Sequence, residues 1–218
     1  MKTFAVLFCL SLSAQVADKA NERYHTPEDR KGVMDGLIQS SRDKTQRPKE
    51  LVAALRIKPG MTVADMGTGG GYMLRYLSEA VGPSGKVVAE DIYPDFLDLA
   101  KKTAASLRNV EFVLGNEKES HLPEKALDLV LLLDVYHHFN YPKETLADLR
   151  KKLKPGGRLA IVEYHKNEVA MPNGRAMEHI RLGEKDAIRE IESNGFRLIS
   201  HEDFNPQSQW LALFDVKL

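Results

Sequence analysis

Three clusters in this chain of 218 residues have the residue types and spacing to do chemistry. The first is Val63-Ala64-Asp65-Met66-Gly67-Thr68-Gly69-Gly70-Gly71-Tyr72, a short apolar run that ends in an acid and opens into glycine. With no Cβ at Gly67, Gly69 and Gly71, backbone N–H groups approach a ligand closely, and a following helix adds its N-terminus. The second is the acid pair Glu90-Asp91, since a carboxylate at a strand end accepts both hydroxyls of a ribose. The third is Asp134-Val135-Tyr136-His137-His138-Phe139, where an acid stands beside two imidazoles that titrate near pH 6.5 when unperturbed.

The elements around these clusters predict how they are positioned. Thr62 to Asp65 reads as a first strand, entered from a helix over Lys49 to Leu55 through the turn Lys58-Pro59-Gly60, and a helix runs from Tyr72 to Val81. Lys86 to Glu90 is a second strand, Pro94 opens a helix through Phe96-Leu97-Leu99-Ala100, and Val110 to Leu114 is a third strand. Leu127 to Leu133 is almost uniformly apolar, as a central parallel strand buried on both faces must be. A helix from Pro142 to Leu153 stops at Lys154-Pro155-Gly156-Gly157, and Arg158 to Glu163 is the fifth strand. A helix over Lys185 to Asn194 precedes two last strands, Phe196 to His201 and Trp210 to Lys217, joined near Asn205-Pro206. Strands alternating with helices predict an α/β fold, a doubly wound sheet with helices on both faces. Ligands of such sheets lie at the carboxyl ends of the strands, where all three clusters fall.

The pattern D-x-G-x-G-x-G from Asp65 to Gly71 resembles motif I of the class I S-adenosylmethionine-dependent methyltransferases. A dinucleotide fingerprint needs a third glycine where Tyr72 stands. The segment from Asp134 to Phe139 is similar to one found in quinone and other small-molecule methyltransferases. The resemblance spans roughly Glu50 to Leu218 and implies a Rossmann-like, seven-stranded, mostly parallel sheet with an antiparallel last strand. It implies S-adenosylmethionine as cofactor. Asp65, Gly67, Gly69 and Gly71 then form its loop, Asp91 meets the ribose, Ile92 packs on the adenine, and Asn116 accepts from the adenine amino group. Asp134 faces the reacting end, with His137 or His138 as base, and Glu163-Tyr164-His165 borders the acceptor.

These assignments predict transfer of a methyl group to a small molecule. Two alternatives stand beside it: a non-catalytic nucleoside-binding module that kept the pocket, and an NAD-dependent oxidoreductase. No metal is expected, because His137, His138, His165 and His179 show neither H-x-x-E-H nor H-E-x-x-H spacing and are read as lying on separate loops. Residues 15–49 are read as an arm, with a short helix near Val33-Met34-Leu37-Ile38 and a loop from Ser41 to Pro48. Arg42, Asp43, Gln46 and Arg47 are close enough to fold over the cofactor as a lid, and a solvated charged loop is the more economical reading. Met171 to Arg175, with His179, Arg181 and a hinge at Gly183, is a second lid candidate.

Charge excludes some partners. Lys plus Arg and Asp plus Glu are 31 each, so a net charge of +0 gives no electrostatic reason to bind nucleic acid or an anionic membrane. Residues 1–14 combine Lys2, an apolar run from Thr3 and the small Ser11, Ser13 and Ala14, the order of a secretory signal peptide. That run is too short to span a bilayer, which takes about 20 residues. The expected location is therefore the periplasm, or the cytoplasm if the segment is no signal. The lone cysteine, Cys9, lies within it, which leaves the rest of the chain without thiol chemistry.

Overall fold

A computed structural model describes residues 16–217. The predicted signal segment and Cys9 lie outside the described residues. Among those residues, no helix is long and apolar enough to cross a membrane.

The arm comprises α1 (Asp18–Asn21), α2 (Pro27–Leu37), α3 (Arg42–Gln46) and α4 (Pro48–Ala54). The sheet and its crossovers follow as β1 (Thr62–Met66), α5 (Leu74–Val81), β2 (Lys86–Asp91), α6 (Pro94–Thr103), β3 (Val110–Leu114) and β4 (Leu127–Leu133). They continue through α7 (Pro142–Lys152), β5 (Leu153–Tyr164), α8 (Ala176–His179), α9 (Glu184–Ser193), β6 (Phe196–Asn205) and β7 (Gln209–Val216). The seven strands are ordered β3-β2-β1-β4-β5-β7-β6. The pairings among β1 to β5 are parallel, and β7 runs antiparallel to both β5 and β6. This is the seven-stranded Rossmann-like sheet expected, with its antiparallel last strand.

The apolar strands serve two cores at once. Val63, Leu129 and Leu131 face α4 and α5, whereas Ala64, Val130 and Leu132 face α7 and α9. All six are fully buried, which explains why β4 shows no polar alternation. The order reverses between β1 and β4, so the crevice outside their carboxyl ends is the topological switch point where such folds bind ligands.

Several boundaries differ from the sequence expectation, among them the end of β6, which runs to Asn205 and not His201. Arg42 to Gln46, expected as loop, is helical; its polar run has no apolar stripe because side-chain hydrogen bonds hold it instead. The helix expected only near Val33 begins at Pro27, with Thr26 Oγ1 accepting from the Asp29 N–H at 3.2 Å as an N-cap. The fifth strand starts at Leu153, because Leu127 pairs with it across a register shift before the regular ladder begins at Arg158.

Candidate active site

The carboxyl ends of β1, β2 and β4 enclose a cleft of about 1060 Å³, measured out to its open mouth. The loop after β1 forms its floor. Gly67, Gly69 and Gly71 hold φ of 69, 54 and 82°, a region that L side chains rarely adopt. A Cβ at Gly67 would stand 2.7 Å from Val135, so the chain itself, and not only a ligand, demands glycine there. Gly71 does not line the cleft: a Cβ on it would meet Ala100 at 3.1 Å, so it serves the packing of α5 on α6.

Carboxylates fix the loop. Thr68 Oγ1 donates to Asp65 Oδ2 at 2.7 Å, and the Gly69 N–H donates to Asp91 Oδ2 at 2.9 Å. Asp91 Oδ1 accepts from the Tyr93 N–H at 3.0 Å. Glu90, almost wholly enclosed, takes the Gly67 N–H on Oε2 at 3.3 Å, and its Oε1 has no partner among the described residues. Burial pushes the carboxyls of Asp65 and Asp91 up to about 6. Burial, then the charge of Asp91, raises Glu90 further above the usual carboxylate range.

The adenine side departs from expectation at one place. Ile92 and Asn116 both line the cleft. However, Asn116 Oδ1 accepts the N–H groups of Lys118 and Glu119 at 2.9 Å each, the geometry of a turn. That oxygen is therefore committed, and accepting an adenine amino group through it requires the turn to open. Tyr24, Tyr93 and Phe96 add aromatic surface to this end, with the Tyr24 and Tyr93 rings stacked at 6.1 Å.

Asp134 stands at the other end with φ 58°, a left-handed conformation that aspartate tolerates better than most side chains. Gln46 Nε2 donates to its Oδ2 and Gln209 Nε2 to its Oδ1, each at 2.7 Å. Burial and the neighbouring Glu163 push its carboxyl up to about 6, opposed by Arg42 at 3.9 Å. The two amides fix the orientation of the carboxylate, and each oxygen keeps a further lone pair. Gln209 was not singled out in the sequence, and a lone glutamine at the start of an edge hairpin carried no signal.

The two adjacent histidines diverge. His138 lines the cleft, and its Nδ1 meets Asn21 Oδ1 at 2.8 Å. His137 is buried outside the cleft, with Nδ1 2.7 Å from Glu163 Oε2 and Nε2 3.2 Å from His179 Nε2. The expectation that the histidines lie apart on separate loops is corrected. His137, His138 and His179 converge, while His165 joins Glu184 and Asp203 elsewhere. Burial holds the conjugate acid of His138 well below its ordinary value and brings that of His179 down to about 3.

The arm covers the glycine loop. The Arg42 guanidinium lies 4.5 Å above the Tyr72 ring, and the Tyr72 hydroxyl donates to Asp43 Oδ1 at 2.8 Å. The Tyr76 hydroxyl donates to Asp43 Oδ2 at 2.8 Å, and Arg30 reaches Asp95 on α6 at 2.8 Å. Tyr72 thus fills the place of a dinucleotide fingerprint's last glycine and anchors the arm. In the second lid candidate, Arg181 pairs with Glu190 instead of reaching the cleft.

Residues 64–161 match the family described as a methyltransferase domain. The chain is 27% identical over 156 residues to the ubiquinone/menaquinone biosynthesis C-methyltransferase UbiE of Pseudomonas savastanoi, covering 70% of this chain and 60% of that protein. It thus spans less than two thirds of the length of that curated relative. The fold superposes on a SAM-dependent methyltransferase from Aquifex aeolicus with a TM-score of 0.77 and 27% identity, covering 84% of this chain and 96% of that one. The [4+2]-cyclase SpnF shares the fold at a TM-score of 0.64 and 15% identity, covering 78% of this chain and 80% of that one. Sheet order, glycine loop and these likenesses make the chain similar to methyltransferase domains of the S-adenosylmethionine-dependent class. The donor set fits that cofactor: Asp91 faces the cleft with only backbone N–H partners, so its remaining lone pairs are free for vicinal hydroxyls.

Proposed function

We propose that this chain transfers a methyl group from S-adenosylmethionine to a small-molecule acceptor. One observation carries the proposal: the glycine loop, Asp91 and the end of β4 with Asp134 and His138 open into a single cleft. When bound, the cofactor supplies an electrophilic methyl on a sulfonium sulfur, which keeps the electron pair as the acceptor bonds the carbon. Asp91 holds the nucleoside beside the glycine loop, whose Gly67 and Gly69 N–H groups are spent on Glu90 and Asp91, and Asp134 is held rigid between Gln46 and Gln209 at the opposite end. Arg42 and Leu37 of the arm line the cleft, and the catalysis asked of this site is alignment and desolvation. UbiE's printed name, a C-methyltransferase of quinone biosynthesis, supports an aromatic or quinol acceptor.

A second function, nucleoside binding without catalysis, is favoured by His137, one of the two expected bases, lying buried outside the cleft. The test is release of the demethylated cofactor in the presence of quinols, phenols and amines. Product that depends on one acceptor class supports methyl transfer; tight binding with no turnover across the set supports the module. Residues 1–14 support export, tested by whether chain recovered from the periplasm has lost them.

A further inference from the structure

Behind the wall of the cleft, three histidines from two separate segments meet. One ring nitrogen of each of His137, His138 and His179 lies within 4.8 Å of those of the other two. The tautomers of two are set by their neighbours. Asn21 Nδ2 donates to the His138 carbonyl at 3.0 Å, which turns its Oδ1 toward His138 Nδ1 and makes that nitrogen the donor. His137 Nδ1 faces a carboxylate oxygen of Glu163, an obligate acceptor that also takes the His137 N–H at 3.1 Å. Nε2 is therefore the lone-pair nitrogen that each of these rings offers. The His137 and His179 Nε2 atoms stand 3.2 Å apart, close to the roughly 3.3 Å separating two imidazole ligands of a tetrahedral zinc ion.

We propose that His137, His138 and His179 bind a first-row divalent cation of the zinc type, with Glu163 and Asn21 aiming two of the rings. A ring held through Nδ1 by a carboxylate or carbonyl oxygen while Nε2 points inward is the common outer arrangement of histidine metal ligands. Charge points the same way. Glu163 is 2% exposed, and its ion-pair partner among the described residues is His137 itself. Asp134 adds a second carboxylate nearby. A buried carboxylate needs compensating positive charge, and a cation on His137 supplies it. Arg175 and Arg23 oppose a dication, standing on the outer side with His179. Three protein nitrogens leave at least one coordination position for water or an acceptor oxygen, and His138 is the ligand that forms part of the cleft wall. A single N–H···N bond from His179 to His137 would explain that pair without metal, and titration separates the two.

The experiment uses the full chain without an affinity tag, stripped with a chelator and titrated with Co²⁺ and Zn²⁺ at neutral pH. No S-adenosylmethionine is present, so the result is independent of methyl transfer. One equivalent of Co²⁺ with visible ligand-field bands, displaced by Zn²⁺, is expected. His179→Ala and His137→Ala each weaken binding more than about 100-fold, and Glu163→Gln, which keeps all three imidazoles, weakens it about 10- to 100-fold. His165→Ala, in the separate cluster with Glu184 and Asp203, leaves it unchanged. The proposal is overturned if the wild-type chain binds neither ion more tightly than His137→Ala/His179→Ala, or if His165→Ala is the variant that loses the equivalent.

Discussion

Gln46, in the arm, donates to Asp134 Oδ2 at 2.7 Å across 88 residues of sequence, tying the arm to the end of β4 in the cleft. Gln209 completes the clamp: it donates to the other Asp134 oxygen and to Gln46 Oε1 at 3.0 Å. A hydrogen bond to a charged group contributes about 1.5–3 kcal/mol. Gln46→Ala is therefore expected to lower the unfolding free energy by about that amount in urea titration. A change under about 0.5 kcal/mol would show that the clamp carries no stability.

The arm is also fastened over the glycine loop through Asp43, which accepts from Tyr72 and Tyr76 and pairs with Arg75 at 3.0 Å. Asp43→Ala releases all three. We expect tryptic cleavage at Arg42 and Lys44 to accelerate about tenfold, roughly 1.4 kcal/mol of local opening, with the core helices still protected. Equal cleavage rates in wild type and variant would place the closure elsewhere.

Asp91 and Glu90 are adjacent acids with different surroundings. Asp91→Ala is expected to weaken S-adenosylmethionine by roughly 10- to 150-fold, the equivalent of about 1.5–3 kcal/mol. Glu90→Gln keeps the acceptor oxygen for Gly67 and removes a charge that burial disfavours, so affinity changes less than about threefold. The opposite ranking would move the ribose contact to Glu90.

Cofactor affinity should also depend on pH. Burial raises the Asp91 carboxyl from 3.8 to about 6, against the lowering effect of the Tyr93 and Gly69 N–H groups. A raised acid is ionised above that value and protonated below it, and the protonated form accepts the ribose hydroxyls poorly. Affinity is therefore level above about pH 7 and falls as pH drops through 6, approaching tenfold per pH unit for one proton. Asp65 and Asp134 are also raised to about 6, so the comparison is with Asp91→Asn, whose profile is flatter by one proton. Superimposable profiles would exclude Asp91 as the titrating group.

The sheet was legible because its signals are local: Leu127 to Leu133 is apolar throughout, and Gly67 to Gly71 breaks a strand into a loop. Asp65, Gly67, Gly69, Asp91, Ile92, Asn116, Asp134 and His138 all line the cleft as expected from sequence, whereas Gly71 and His137 do not. What remained hidden depends on contacts between distant segments. The helix at Arg42 to Gln46 has no apolar face of its own and is held by Tyr72 and Asp134. Asn116 is spent on a turn with Lys118 and Glu119, which its residue type permitted but did not announce. His179 reaches His137 from 42 residues away, across a segment with no regular spacing to reveal it.

The most direct test of the account is a calorimetric titration of the chain with S-adenosylmethionine, its demethylated product and NAD. The account predicts micromolar binding of the first two at one site per chain, weakened together roughly 10- to 150-fold by Asp91→Ala, and no heat from NAD. Tighter binding of NAD, or silence from the first two by a folded chain, would contradict it.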